Sequence, residues 1–264
     1  VLFLGANGLN GMLGLHVAFG LGELEMICLL LVFIATLGGA YAIFGGLKAI
    51  AVSDTFNGAG LLIGGLMIAY FSLQLIGGSD GGWTAAFDKI AASDPDAFQS
   101  LGTKDESTHW PTLFTGVLLL NFFYWTTNQQ IIQRTFGARN LSEGQKGVLL
   151  CGALKLLGPL YLVLPGMMAF YLYSGDASIK ADMAYGQLVR DVLPGSLTGF
   201  FAAVMVGAIL SSYNSALNST TTLFSLGIYK TMINPNASEE QVVKSGKTFG
   251  WIIALISMSV APLL

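Results

Sequence analysis

An all-α, polytopic membrane helical bundle is the fold the sequence predicts, on three observations: scarce charge, long uninterrupted apolar stretches and abundant glycine. Of the 264 residues, 53% are hydrophobic and only 10% are charged, against roughly 25% charged in an average soluble domain. That is too little charge to cover a water-facing surface, whereas a lipid-facing one needs none. Glycine, at 34 residues, is nearly twice its usual share of about 7%. Membrane helices use such small residues to bring backbones close together.

Crossing a ~30 Å hydrocarbon core takes about 20 predominantly apolar residues in a helix. Stretches near 2–21, 26–47, 50–78, 111–133, 147–175, 192–229 and 248–264 approach or exceed that length. They read as five complete spans with a partial one at each end. Each is continuously apolar rather than alternating over about ten residues, which argues against a membrane barrel. The chain opens on Val1 and stops inside an apolar run, so it is expected to be one transmembrane domain, 1–264, incomplete at both ends. No basic segment followed by a short apolar core and cleavage site marks a signal peptide.

The connections alternate in sign. Segment 79–110 holds six acids (Asp80, Asp88, Asp94, Asp96, Asp105, Glu106) against Lys89 and Lys104. Segment 134–146 has Arg134, Arg139 and Lys146 against Glu143, segment 176–191 is slightly acidic, and 230–247 has Lys230, Lys244 and Lys247 against Glu239 and Glu240. Excess Lys and Arg marks the cytoplasmic side, and the signs change with each crossing. Trp83, Trp110 and Trp251 suit the membrane interface or ordinary packing. The expected location is a cell membrane, plasma or bacterial inner, crossed several times.

Several function classes drop out. The net charge of -3 and the absence of any Lys/Arg cluster argue against nucleic acid as a partner. Cys28 and Cys151 lie in apolar runs without metal-ligand spacing and read as small hydrophobes. Neither His16 nor His109 has a nearby catalytic partner in sequence, so an enzyme is not expected. A channel would need a filter loop or a ring of acids, and neither is visible.

Polar side chains inside the spans carry the functional argument, because an ionisable group near the bilayer centre costs about 2.5 to 3.5 kcal/mol. Lys155 sits between two apolar runs, well inside a helix rather than at its end, either snorkelling to the interface or donating into a solute cavity. Asp54, near the cytoplasmic end of its span, is either solvated or paired with Arg134, as a gating or structural ion pair. Asn121, Tyr124, Trp125 and Asn128, at i, i+3, i+4 and i+7, share one face of a helix. An aromatic ring able to stack and amides able to bind hydroxyls suit a sugar-like solute, and an interhelical hydrogen-bond seam is the alternative. Ala208, Ser211 and Ser212, at i, i+3 and i+4, place a carbonyl and two hydroxyls where they converge on one small cation. Serine as packing glue explains the same spacing.

Three blocks extend these readings: 41–55, from Tyr41 through Gly45-Gly46-Leu47 to Asp54-Thr55; 121–135 running on to Lys155 and Leu164-Pro165-Gly166; and 210–230, from Leu210-Ser211-Ser212 to Lys230. In order and separation they resemble the sodium/solute symporter family, in its sodium/sugar cotransporter branch, and together they span most of the chain. The resemblance implies an inverted five-plus-five helix repeat with ion and solute near the midplane, of which this chain supplies the end of the first repeat and most of the second. It implies a sodium site at Ala208, Ser211 and Ser212, solute contacts at Asn121 and Lys155, and Tyr124 with Trp125 closing the pocket. It further implies that the helix opening the first repeat, absent here, completes both sites. A departure is Gly227, where sugar-transporting relatives carry aspartate.

The expected function is secondary active transport, coupling sodium influx to uptake of a small solute, a sugar by preference. Sodium is the coupling ion, the lipid bilayer the surrounding partner, and no cofactor is expected. The alternatives are a sodium symporter for an amino acid, vitamin or small anion, and a membrane sensor built on a transporter-like domain.

Overall fold

A computed structural model describes residues 1–78, 81–102, 109–176, 179 and 183–263. Asp80, Lys104, Asp105 and Glu106 of the acidic segment, and Lys180 and Asp182 of the 176–191 segment, lie outside the described residues. Helices dominate, and no strand forms among the described residues. Helices α1 (Leu2–Leu13), α2 (Leu15–Phe19), α3 (Glu23–Gly77) and α4 (Gly82–Ser93) come first. Helix α5 (Trp110–Thr112) runs through a π-helical stretch, Leu113–Val117, into α6 (Leu118–Thr126), followed by α7 (Gln129–Phe136) and α8 (Leu141–Lys155). A second π-helical stretch, Pro159–Val163, leads into α9 (Leu164–Tyr173), and α10 (Ala184–Val192) precedes α11 (Gly195–Thr222). A third, Leu223–Ile233, extends α11, and α12 (Glu239–Val260) ends the chain in a 3-10 turn, Ala261–Leu263.

Among the described residues, three elements are long and apolar enough to cross a membrane: Glu23–Gly77, Gly195–Ile233 and Glu239–Leu263. A fourth span is possible by length if Leu141–Lys155 and Pro159–Tyr173, bent by 45°, are taken together. The 55-residue α3 is far too long for one crossing at about 1.5 Å per residue. It is broken at Gly46, where φ 62° and ψ -171° are non-helical and open only to glycine at ordinary cost.

The break reverses the chain. Gly38 lies against Tyr213 and Asn214 of α11, whereas Asn57 bonds to Gly207, Gly60 meets Val204 and Gly64 meets the Phe201 ring. A straight helix would put residues 38 and 57 about 28 Å apart, yet their α11 partners stand only about 9 Å apart. The two arms of α3 therefore flank α11 in opposite directions as a helical hairpin, and Tyr41 Oη closes the tip by donating to the Ala49 carbonyl at 2.5 Å. Glycine on the facing surfaces lets the backbones approach, and a Cβ at Gly38, Gly60 or Gly64 would overlap its neighbour.

The chain divides into two compact units, Val1–Gly65 with Ile179–Leu264, and Leu66–Ser178. In the first, α1 packs on α10 and α11, and α11 packs on α12. Gly186 of α10 fits directly on the Gly11 and Met12 backbone, and Arg190 Nη2 donates to the Gly11 carbonyl at 2.7 Å. Tyr185, half-buried on α10 beside Phe201, has its phenol pushed up to about 12 by loss of water around it. Helix α12 starts with a capping box, Ser238 with Gln241, and Glu239 and Glu240 in its first turn complement the helix dipole. The hairpin tip meets this helix: Phe44 lies edge-on to Trp251 at 6.3 Å, with Lys247 Nζ 5.8 Å from the Phe44 ring centre. The tip, with Lys48, and Lys247 of α12 therefore share one end of the unit, in keeping with the positive-inside reading.

In the second unit, Leu73, Ile76, Ala86, Ile90 and Met168 form the core where α3, α4 and α9 converge. Lys89 Nζ donates to the Ile76 and Gly77 carbonyls at 2.8 and 3.4 Å, satisfying orphan groups at the α3 C-terminus. Trp83 stands edge-on to Tyr70 at 5.8 Å. Leu118, Leu119, Leu120, Phe122 and Phe123 are exposed along α6, an apolar surface of the kind lipid covers.

Candidate functional site

Helix α11 carries the three residues expected to hold a cation. It is continuous from Gly195 to Thr222, so Ala208, Ser211 and Ser212 lie within one regular stretch of turns. A helical carbonyl spends one lone pair on its i+4 amide and keeps the other, which leaves the Ala208 oxygen with a second accepting direction. Ser211 Oγ donates to Asp54 Oδ1 across the α3–α11 interface. Ser215 Oγ in turn donates to the Ser211 carbonyl at 2.6 Å, and Ser215 is 3% exposed. Ala208 and Ser211 are half-buried and Ser212 is exposed.

The geometry gives Asp54 a partner that sequence reasoning did not assign. Arg134 belongs to the other compact unit and donates from Nη1 to the Gln130 carbonyl at 2.8 Å. Asp54 brings a negative oxygen next to a hydroxyl of the expected cation set. A hard monovalent cation is better served by this mixture than by hydroxyls alone, because a charge removed from water must be compensated nearby. The signal was present in the spacing: Asp54 and Asn57 lie at i, i+3 on α3, and Gly207 and Ser211 at i, i+4 on α11. Without a register between the helices it could not be read.

The solute set lies in the second unit and is arranged differently from expectation. Helix α6 ends at Thr126, and Asn128 is the N-cap of α7, its side chain accepting from the Gln130 amide at 3.0 Å. Asn121, Tyr124 and Trp125 keep their i, i+3, i+4 spacing on α6, and Asn128 alone leaves that face. The reason is local competition: Thr126 and Thr127 hydroxyls bond back to Phe122 and Phe123 carbonyls, and asparagine prefers capping to helix interior. Asn121 Nδ2 donates to the Val117 carbonyl at 2.9 Å, leaving its Oδ1 as the free-facing acceptor of the amide. Tyr124 and Trp125 meet edge-on at 5.3 Å.

Lys155 is not inside a helix but at the end of α8, where Gly158-Pro159 prevents continuation and the axis bends. A cation there faces the carbonyl end of the helix dipole. Its Nζ lies 5.0 Å from the Trp125 ring centre, so Trp125 and Lys155, 30 positions apart in sequence, form one cation–π pair. All four side chains, Asn121, Tyr124, Trp125 and Lys155, are exposed in their unit.

Comparison with known proteins agrees with this architecture. The family described as "SSF: Sodium:solute symporter family" matches residues 10–264. The "Uncharacterized symporter YidK" of Escherichia coli (strain K12) is 44% identical over 262 residues, covering 99% of this chain and 45% of that protein. A "Sodium/glucose cotransporter" of Vibrio parahaemolyticus is 33% identical over 284 residues, covering 100% of this chain and 50% of that protein. The chain thus spans about half the length of the curated relatives it matches. A solved structure of a Na+-coupled sialic acid symporter, substrate-bound and outward-open, superposes with a TM-score of 0.82 at 24% identity, over 100% of this chain and 54% of that one. The fold is thus that of a sodium symporter, and the chain, a multi-pass integral membrane protein, belongs to the sodium:solute symporter family.

Proposed function

We propose that the full-length protein couples sodium influx to uptake of a small neutral solute, a sugar by preference. The observation that carries this reading is the hydrogen bond from Ser211 to Asp54, which sets a carboxylate against one hydroxyl of the α11 turn that also carries Ala208 and Ser212. Sodium binds Ala208 O, Ser211 Oγ and Ser212 Oγ, and Asp54 supplies the compensating charge. The solute is held by Asn121 and Lys155 through its hydroxyls, with Tyr124 and Trp125 as apolar walls for its ring faces. The Trp125–Lys155 pair supports this chemistry because it joins a stacking surface to a charged donor.

Sodium binding stabilises the outward-open state, the solute then binds, and rocking of the bundle exposes both inward. No covalent step is needed. One sodium ion moving down ~100 mV yields about 2.3 kcal/mol, and a tenfold sodium gradient adds about 1.4 kcal/mol. Together, roughly 3.7 kcal/mol holds a neutral solute several hundred-fold concentrated.

The test is uptake of labelled sugars by the full-length protein, with proline, pantothenate and iodide as competitors. Sodium-stimulated sugar uptake untouched by the three competitors is the expected result. Uptake of an acid or anion with no response to any sugar would reject the sugar assignment while leaving sodium coupling in place.

A further inference from the structure

Asn57 stands one turn along α3 from Asp54 and faces the same turn of α11. Its Nδ2 donates to the Gly207 carbonyl at 3.0 Å and approaches Ser53 Oγ at 3.3 Å. The Gly207 carbonyl already accepts the Ser211 amide within the helix, so the Asn57 bond occupies its second lone pair. The stretch from Gly207 to Ser211 is thereby tied to α3 at both ends, by Asn57 at Gly207 and by Asp54 at Ser211. Residue 207 must be glycine for this, because a Cβ there would overlap the Asn57 amide.

We propose that Asn57 is a positioning residue for the cation site: by fixing the Gly207 carbonyl it sets the rotation and height of the Ala208 to Ser212 turn against Asp54. The proposal rests on the sodium reading above. Asn57 reaches none of the three expected ligands directly; it acts through the carbonyl that precedes them. An apolar side chain of equal size would pack the same half-buried space but impose no direction on the carbonyl. Partners of this outer kind hold ligands in geometry, and their loss weakens metal sites without removing a ligand.

The test uses the full-length protein in vesicles, with two constants read separately: half-saturating sodium at saturating solute, and half-saturating solute at saturating sodium. Asn57→Leu raises half-saturating sodium about tenfold or more and leaves the solute constant unchanged. Asn57→Gln, which keeps an amide donor on a longer arm, shows a smaller shift than Asn57→Leu. Gly207→Ala, which pushes the amide off the carbonyl, reproduces the sodium-specific shift and decides the matter if Asn57→Leu fails to reach the membrane. Sodium constants unchanged in both variants would overturn the proposal. So would sodium and solute constants rising together, the signature of loosened packing alone. If the parent protein takes up solute without regard to sodium, the sodium reading falls and this proposal with it; if the parent is sodium-dependent and the variants match it, only this proposal falls.

Discussion

Lys155 was visible as a charge out of place between two apolar runs, but its partner was not. The ring beneath it, Trp125, comes from a helix on the far side of two chain breaks, and pairing over that distance has no sequence period to reveal it. Placing the ammonium on an indole face makes the side chain a directed donor, so Lys155→Ala is expected to raise half-saturating solute roughly tenfold, as when one good charged hydrogen bond is lost. Membrane expression should stay unchanged; an effect confined to expression would return the residue to a purely structural role. Tyr185 makes a second prediction at this scale. Its folded pKa of about 12 lies above the ordinary value near 10, so burial favours the neutral phenol, and its contribution to stability is complete below about pH 10. Between about pH 10 and 12 the unfolded chain ionises first, and stability falls. Chemical unfolding of the purified protein over that range should show a downward slope that Tyr185→Phe makes shallower. A slope unchanged in the variant would assign it to other groups.

At the scale of the element, apolar length placed the helices and separated the spans 26–47 and 50–78, but not the residue at which the chain turns. The structure puts that turn at Gly46, one glycine in a conformation closed to other residues. The paired glycines Gly45 and Gly46 were read as part of a family block, since nothing local says which of two glycines takes the positive φ. Gly46→Ala has open space around the added methyl, so only backbone strain acts, and about 1 to 3 kcal/mol of destabilisation is expected. A lowered midpoint of thermal unfolding in detergent would show it; an unchanged midpoint would mean that the tip has another accessible geometry. The end of α6 was missed for a related reason. Threonine and asparagine inside an apolar span read as a polar helical face, yet the same groups bond to backbone and terminate the helix. The three π-helical stretches and the Pro159 bend likewise lie in segments whose hydropathy alone is uniform.

Over the whole molecule, fold class was the most legible property because it depends on sums: few charges, many apolar residues, small residues where helices touch. The proposed cation set was legible as a spacing on α11, while the two contacts that tie that turn to α3, Asp54 with Ser211 and Asn57 with Gly207, required the register between the helices. That register is set by glycine contacts at 38, 60 and 64, which a count of glycines anticipates only in bulk. What the fold holds together is therefore an oxygen-lined turn in an apolar bundle, next to one carboxylate, in a family of sodium:solute symporters.

The most direct measurement is initial-rate uptake by the reconstituted full-length protein, with external sodium replaced by choline at constant voltage, for the parent and for Ser211→Ala with Ser212→Ala. Uptake in the parent should collapse in choline, and the double variant should insert normally yet run at the choline rate in either medium. Equal uptake in sodium and choline by the parent would contradict the account.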